Sequence, residues 1–182
     1  MTKELYEKLQ AGRKIYQAER TKNRLKSEKN IYNEGINDIG KISKREMFLI
    51  GVTLYWAEGF KHKDESSLGL ATMDVNMAKF YVKWLRECLE VDNDRLSFRV
   101  TANILYENKI EKMEKYWSEN LGVKIDQFVK PFYQKSKQNR VYPNSDKYFG
   151  VLRIRVRKSI NILRKMRGWM AGVTMAQLDD KI

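Results

Sequence analysis

The stretch from Phe48 to Ala57 constrains the fold of this chain most strongly, because it is apolar almost all round. A helix that lacks a polar stripe has to be buried on more than one face. Gly51, Thr53 and Ala57 carry small side chains that would let another backbone approach closely. We therefore predict that this stretch is a central helix against which other elements pack.

Signals at both ends define the limits of this helix. Ser43 is followed three residues later by Glu46, a spacing that predicts a capping box at the N-terminus. Gly59, after Glu58, is suited to the left-handed conformation that ends many helices. The helix is therefore predicted to start just after Ser43 and to stop at Gly59.

Residues 1–45 form a polar segment with widely spaced apolar positions. This pattern predicts a basic helical extension, either one surface helix or a helical pair. Residues 33–35 and Ile39-Gly40 predict a loop before the central helix. The basic residues between Arg13 and Lys26 fit a phosphate-contacting arm and a solvated helix face equally well.

Residues 46–182 alternate between strand-like and helix-like patterns, which predicts an α+β domain. Predicted strands cover residues 68–73, 95–101, 125–133 and 151–157, and Pro131 places the third of these at a sheet edge or a bulge. Predicted helices cover residues 74–90, 107–121 and 159–170. The arrangement predicted from this order is a mixed, largely antiparallel sheet with helices on one face.

Two of the predicted strands alternate strictly, so each has an aliphatic face and a polar face. The aliphatic residues are predicted to point into the core. The polar face is rich in arginine and contains no acidic residue, which is unusual for a plain solvent face. Its members are Arg95, Ser97, Arg99 and Thr101 on one strand and Arg153, Arg155 and Arg157 on the other.

The net charge favours a polyanionic partner. The chain has 36 Lys plus Arg and 23 Asp plus Glu, a net charge of +13. Residues 124–167 carry +11 of this charge, whereas residues 46–123 carry −3. Arginine also suits phosphates and guanine edges because its planar group donates two hydrogen bonds at once. Double-stranded DNA is the favoured partner, and RNA remains an alternative.

Other classes of protein are disfavoured by composition. One cysteine, Cys88, and one histidine, His62, do not supply a disulfide framework or a Cys/His metal site within one chain. No run of about 18 apolar residues is present, and the N-terminus opens on charged sequence. We expect a cytoplasmic protein without a membrane partner.

Glu58 is the candidate carboxylate of a functional site. It follows ten largely apolar residues and lies at the negative end of the helix dipole. A cation should therefore lie beside it. Lys61 could supply that cation structurally, and a divalent metal such as Mg²⁺ is the alternative.

The segment Gly51-Val-Thr-Leu-Tyr-Trp-Ala-Glu58-Gly59, followed by a short strand, a helix, further strands and a final helix, resembles the LAGLIDADG motif and fold of homing endonucleases. The resemblance covers roughly residues 46–170. It implies that Glu58 binds a catalytic Mg²⁺ ion, with Lys61 and Lys130 as supporting catalytic candidates. It also implies that the motif helix packs against its counterpart in a homodimer, through Gly51, Val52, Thr53 and Ala57.

The resemblance further implies that the basic sheet face contacts DNA. The predicted nucleic-acid contacts are Arg95, Arg99, Lys130, Arg153, Arg155 and Arg157. The leading hypothesis is metal-dependent hydrolysis of phosphodiester bonds by a homodimer. The alternatives are a DNA-binding regulator that keeps the fold without cleavage and an RNA-binding splicing factor of the same fold.

Overall fold

The computed structural model of the chain describes residues 2–135 and 147–176. The chain divides into two compact units, Met1–Ile42 and Ser43–Ile182. The division falls slightly before the predicted boundary between residues 45 and 46, because Ser43 already caps the first helix of the second unit. The second unit mixes helices with one sheet, which agrees with the predicted α+β class.

The first unit is one helix, α1, which spans Lys3–Ile39 and has no buried residue. The predicted loop at residues 33–35 is wrong, because these residues are helical. A single glycine costs a helix only about 1 kcal/mol, which is too little to break a long one. The helix ends where the sequence also indicated, at Gly40, which has a φ of 58°.

Helix α2 spans Lys44–Glu58 and starts with the predicted capping box. The Ser43 hydroxyl accepts a hydrogen bond from the Glu46 amide at 3.2 Å, and the Glu46 carboxylate accepts one from the Ser43 amide at 2.7 Å. At the other end, Gly59 is extended, with φ −70° and ψ 156°, so the predicted left-handed conformation is wrong. Glycine is required here because there is no space for a side chain: a Cβ at this position would lie 2.4 Å from the Tyr55 carbonyl oxygen.

The sheet has four strands in the order β1-β4-β2-β3. Strand β4 pairs antiparallel with β1 and β2, whereas β3 pairs parallel with β2. The bounds are Gly69–Thr72 for β1, Leu96–Asn103 for β2, Phe132–Gln134 for β3 and Val151–Val156 for β4. Most of the predicted strand at 125–133 is not a strand: it starts with a 3-10 turn at Ile125–Gln127, and regular pairing begins only after Pro131, which has no N–H to donate.

Three further helices complete the second unit. They are α3 at Val75–Glu87, α4 at Ile110–Leu121 and α5 at Ile160–Ala176. The α3 N-terminus is capped by Asp74, and α4 follows a 3-10 segment, Ile104–Lys109, of which residues 107–109 were predicted as part of the helix. Helices α2 and α3 contact β1, α4 contacts β2, and α5 contacts α2.

The core lies between these helices and the sheet face that carries the predicted aliphatic residues. Leu96, Phe98, Val100, Leu152 and Ile154 are fully buried, as predicted from the alternation. The helices supply the other side of the core, with Trp84 and Trp117 among its largest buried side chains. The opposite sheet face, called the outer face below, carries Ser97, Arg99, Arg153 and Arg155.

Helix α2 is buried on one face only, so the prediction of burial on several faces is wrong for the single chain. Met47, Gly51, Val52 and Tyr55 are buried. Phe48 and Leu54 are partly buried and pack against the core, whereas the other apolar side chains point away from it. The exposed apolar face of α2 consists of Leu49, Ile50, Thr53, Trp56 and Ala57.

Candidate nucleic-acid interface

The strand register places the outer-face residues in rows across the sheet. Arg153 on β4 lies directly opposite Arg99 on β2, and Arg155 lies opposite Ser97. On the other side of β4, Arg153 is next to Ala71 and Arg155 is next to Gly69. The small neighbours on β1 leave the space above this part of the sheet to the arginine side chains.

Arg99 and Arg153 form a pair of like charges on neighbouring strands. Directly opposite residues of an antiparallel pair have Cβ atoms about 4.5–5.5 Å apart, and like charges there are destabilising. Burial lowers the pKa of the Arg153 guanidinium, and the positive charges of Arg155 and Arg99 lower it further. Arginine nevertheless remains protonated at neutral pH. Together with Ser97 and Val129, the two arginines border an open depression of about 360 Å³.

Arg155 differs from Arg153 because it is neutralised by an acid. Its guanidinium donates two hydrogen bonds to the Glu65 carboxylate, at 2.6 and 3.1 Å, and one to the Ser67 hydroxyl at 2.6 Å. The hydrogen bond from Arg155 is the main reason why the pKa of Glu65 lies below its usual value. The prediction of an acid-free basic face is therefore wrong at this position, because the loop before β1 brings Glu65 to it.

Phe60 packs against both arginines of β4. Its ring centre lies 4.7 Å from the guanidinium carbons of Arg153 and Arg155. The neighbouring Gly69 has no side chain, and a Cβ there would lie 3.1 Å from the Phe60 ring and 2.4 Å from the Ile154 carbonyl oxygen. The aromatic ring therefore holds the two guanidinium groups in place over β1, since cations bind favourably over an aromatic face.

Two other predicted DNA contacts lie away from this cluster. The Arg95 guanidinium donates hydrogen bonds to the carbonyl oxygens of Arg157 and Lys158, at 3.0 to 3.3 Å, and so fixes the turn between β4 and α5. Arg157 is exposed and lines a separate depression of about 530 Å³ that also contains Asp94 and Asp126. Neither residue adds to the charge beside Arg99 and Arg153.

Thr101 was predicted to point outward, but its side chain is buried. It lies in β2 opposite Val151 of β4 and Phe132 of β3. Strand β3 pairs with this end of β2, whereas farther along β2 Ser97 is half-buried and Arg99 is exposed. Lys130, in contrast, is exposed and follows Val129, whose amide donates to the Phe98 carbonyl at 2.8 Å.

Glu58 is exposed at the end of α2. Within residues 2–135 and 147–176 its carboxylate has no hydrogen bond or ion pair. Lys61 lies nearby, but its ammonium group donates to the carbonyl oxygens of Trp56 and Ala57. The lysine therefore stabilises the negative end of the helix directly.

Lys130 is not near Glu58 within one chain. Gly59, next to Glu58, bridges to Leu70 of β1, and Phe128, near Lys130, bridges to Phe98 of β2. These two bridges lie in one row at opposite edges of the sheet, so four strand spacings of about 4.8 Å, roughly 19 Å in all, separate them. Glu58, Lys61 and Lys130 therefore do not form one catalytic cluster in a single chain.

The described part of one chain offers a single carboxylate, that of Glu58, at the predicted magnesium site. Mg²⁺ bound to proteins is held by one or two carboxylates with waters and substrate phosphates. Glu58 is a single exposed carboxylate, and no group of three or more His, Cys, Asp or Glu side chains in the described part of the chain could hold a metal ion. A second carboxylate would have to come from another copy of the chain.

The predicted dimer residues divide between the two faces of α2. Gly51 and Val52 are buried within the chain, and a Cβ at Gly51 would lie 2.0 Å from the indole nitrogen of Trp84. Gly51 therefore allows α3 to pack closely against α2, and a second copy of the chain cannot pack against this residue. Thr53 and Ala57 are exposed, and they lie on the same face as Trp56, which is 43% exposed.

No family model, curated protein or solved structure matches this chain. The resemblance to the LAGLIDADG fold therefore rests on the motif and the element order alone. Among the residues that the structure describes, no helix is both long enough and apolar enough to cross a membrane.

The sequence analysis missed Phe60, Glu65 and Ser67 as parts of the outer face. All three lie between α2 and β1, in a segment with turn-like composition. Residues 60–63 were predicted as a hairpin partner of the first strand, but only Gly59 and Phe60 lie beside β1, where the Phe60 amide donates to the Gly69 carbonyl at 2.9 Å. An acid in a turn has no periodicity that shows which strand it will reach, so only the fold could reveal the Glu65–Arg155 pair.

Proposed function

We propose that this protein binds double-stranded DNA through the outer face of its sheet, with Arg99 and Arg153 as the principal phosphate contacts. The observation that carries the proposal is the direct opposition of these two arginines across β2 and β4. Two like charges at this spacing cost stability unless an anion lies between them. A phosphate oxygen supplies that anion, and arginine binds it through paired hydrogen bonds.

The surroundings of the pair support this proposal. The two central strands of the sheet, β2 and β4, both expose polar side chains on this face, so phosphates could be contacted from two neighbouring strands. Ser97 and Lys130 border the same region and could donate further hydrogen bonds to phosphates. Most of the net positive charge of the chain also lies in residues 124–167, although residues 136–146 of that segment lie outside the described part.

Binding can be tested with a labelled duplex in fluorescence anisotropy across a series of salt concentrations. We expect the double variant Arg99→Ala/Arg153→Ala to bind more weakly and with a shallower salt dependence than the parent, because fewer counterions are released. A matched control is Lys79→Ala/Lys112→Ala, which removes the same charge from exposed positions on α3 and α4.

Equal weakening by the two double variants would show that only overall charge matters and would overturn the assignment to the outer face. Single-stranded DNA and RNA of the same sequence serve as competitors. Stronger competition by RNA than by the duplex would replace DNA with RNA as the proposed partner.

We propose metal-dependent hydrolysis by a homodimer as a second candidate function. The observation that favours it is the exposed, unpaired carboxylate of Glu58 at the end of the exposed apolar face of α2. A second copy packed on Thr53, Trp56 and Ala57 would cover that face and bring two Glu58 carboxylates together at the twofold axis. Two carboxylates would match the ligand set that Mg²⁺ prefers, and the ion would then supply an activated water.

Two measurements test this candidate. In sedimentation over a range of micromolar concentrations, Thr53→Arg should weaken the self-association of the parent chain. A plasmid-library assay with Mg²⁺ or Mn²⁺ should show cleavage that Glu58→Gln abolishes, and Glu58→Gln should preserve the dimer because it removes the repulsion between the carboxylates. Tight duplex binding without cleavage would favour the regulator that keeps the fold without hydrolysis.

A further inference from the structure

Helix α1 exposes many large apolar side chains. It spans Lys3–Ile39 and none of its residues is buried. Most of the stability of a helix in a protein comes from packing of its apolar face rather than from helix propensity, and the interior glycines Gly12 and Gly35 each weaken this helix by about 1 kcal/mol. Two ion pairs within the helix, Lys8–Glu4 and Arg24–Glu28, are exposed and contribute little. The stability of so long a helix therefore requires packing against something else.

Five of the ten large exposed apolar side chains of α1 lie on a seven-residue repeat. One position of the repeat is apolar in five successive heptads, and a second position, four residues after the first, is isoleucine twice and lysine three times. Leu25, Tyr32 and Ile39, of the first set, are 54%, 70% and 68% exposed. An apolar period of 3.5 residues is the pattern of a left-handed coiled coil. The first position holds Ala11, Ala18, Leu25, Tyr32 and Ile39, and the second holds Lys8, Ile15, Lys22, Lys29 and Ile36.

We propose that α1 pairs with α1 of a second copy of the chain in an antiparallel two-stranded coiled coil. The lysines decide the direction. In a parallel pair each core residue faces its own counterpart, so Lys22 would face Lys22 and Lys29 would face Lys29 in the apolar core. In an antiparallel pair centred between Lys22 and Leu25, each of these lysines faces an apolar residue.

In this antiparallel register, suitable residues face each other along the whole length of the seam. Lys22 faces Leu25, Lys29 faces Ala18, and Ile15 faces Tyr32. The small alanines thus face long side chains, which lets the layers fill evenly. A lysine stem can lie along the apolar partner while its ammonium group reaches water. The seam from residue 8 to residue 39 is roughly 48 Å long at 1.5 Å per residue. This length corresponds to more than four heptads, and a coiled coil needs about three to four.

The charges beside the seam are complementary in the same register. Glu19 and Lys26 both follow the first repeat position, on the same side of the seam. In the antiparallel pair, Glu19 of each copy lies beside Lys26 of the other, once on each side of the twofold axis. Neither residue has an ion pair within α1, so both are free to pair between chains. Charges that flank the seam set partner orientation in coiled coils.

Disulfide trapping of the full chain tests the direction of pairing. In a Cys88→Ala background, one chain carries Ile15→Cys and another carries Tyr32→Cys. The antiparallel register places these two positions opposite each other, so an equal mixture should give a cross-linked dimer under mild oxidation, whereas either chain alone should give almost none. Arg20→Cys, on the side of α1 away from the seam, is the control and should not cross-link with either.

The other results would overturn the proposal. Cross-linking of each single variant with itself would show a parallel pair. Absence of cross-linking in the mixture would show that α1 does not pair with itself, and cross-linking only after duplex DNA is added would assign α1 to nucleic-acid binding. When both cysteine variants also carry Thr53→Arg, the yield of cross-linked dimer should be unchanged, since the coiled coil does not depend on the exposed face of α2.

A charge exchange provides a second readout that does not depend on new cysteines. Glu19→Lys alone and Lys26→Glu alone each place like charges beside each other, and both should lower the fraction of dimer measured in the Thr53→Arg background. The double variant Glu19→Lys/Lys26→Glu restores opposite charges and should recover the loss. A double variant as weak as the singles would contradict the antiparallel register.

Discussion

The two outward arginines of β4 should make unequal contributions to DNA binding, because Glu65 already neutralises one of them. Arg155 and Glu65 form an ion pair at 2.6 Å, whereas Arg153 faces Arg99. The informative perturbation removes the pair as a unit, in the double variant Arg155→Ala/Glu65→Gln. It is compared with Arg153→Ala.

The expected magnitudes follow from the charge that each variant removes. The double variant removes one positive and one negative charge, so the net charge of the outer face does not change. Arg153→Ala removes one unpaired positive charge. The plot of log K against log salt should become shallower by about 0.9 for each phosphate contact that is lost. For Arg153→Ala, this change in slope amounts to roughly a 3.5-fold difference in relative affinity between 50 and 200 mM salt.

The assay is fluorescence anisotropy of one labelled duplex at several salt concentrations. Thermal unfolding of each variant serves as the control for folding, and removal of both partners of the pair should cost less stability than Arg155→Ala alone, which leaves Glu65 unpaired. The reasoning is refuted if the double variant loses as much slope as Arg153→Ala, since Arg155 would then contact phosphate despite its bond to Glu65.

Three further predictions concern stability. Because Arg155 lowers the folded-state pKa of Glu65, this carboxylate stabilises the fold fully above about pH 4.3 and loses its contribution as the pH falls through the folded-state pKa. Between pH 5 and pH 3, the free energy of unfolding measured in urea should therefore fall more for the parent than for Glu65→Gln. Parallel plots of this free energy against pH would contradict the prediction. Gly51→Ala should lower the free energy of unfolding by about 1–3 kcal/mol through overpacking, since its Cβ would meet Trp84. Gly172→Ala, at an exposed position of α5, is the control and should not lower it. Asp74→Ala should cost about 1 kcal/mol, because Asp74 accepts the amides of residues 76 and 77 at the start of α3; unchanged urea unfolding would argue against the cap.

Local periodicity was sufficient to predict the elements of the second unit that form the core. The alternation around Phe98 and Ile154 predicted which side chains are buried, because a strand places every second residue on the same face. The Ser43 capping box was also predicted, since it depends only on residues three positions apart. These features need no knowledge of which elements are neighbours.

The charges of the candidate interface could not be predicted in the same way. The sequence shows that Arg153 and Arg155 point outward, but their environments differ through residues that are distant in sequence. Glu65 reaches Arg155 across 90 positions, whereas Arg153 meets Arg99 through the β2–β4 register. Whether an outward arginine can bind a phosphate depends on these partners, and the partners depend on strand order.

The exposed face of α2 illustrates the same limit. Small residues at 51, 53 and 57 all permit close approach of another backbone, and the sequence does not show which helix takes which residue. Trp84 fills the space at Gly51, with its indole N–H donating to the Phe48 carbonyl at 3.2 Å. Since residues on a helix are about 100° apart, burial of Gly51 and Val52 turns Thr53 and Ala57 away from the core. A self-complementary contact on α2 therefore has to use Thr53, Trp56 and Ala57, and Thr53→Arg tests it without disturbing the packing of Trp84.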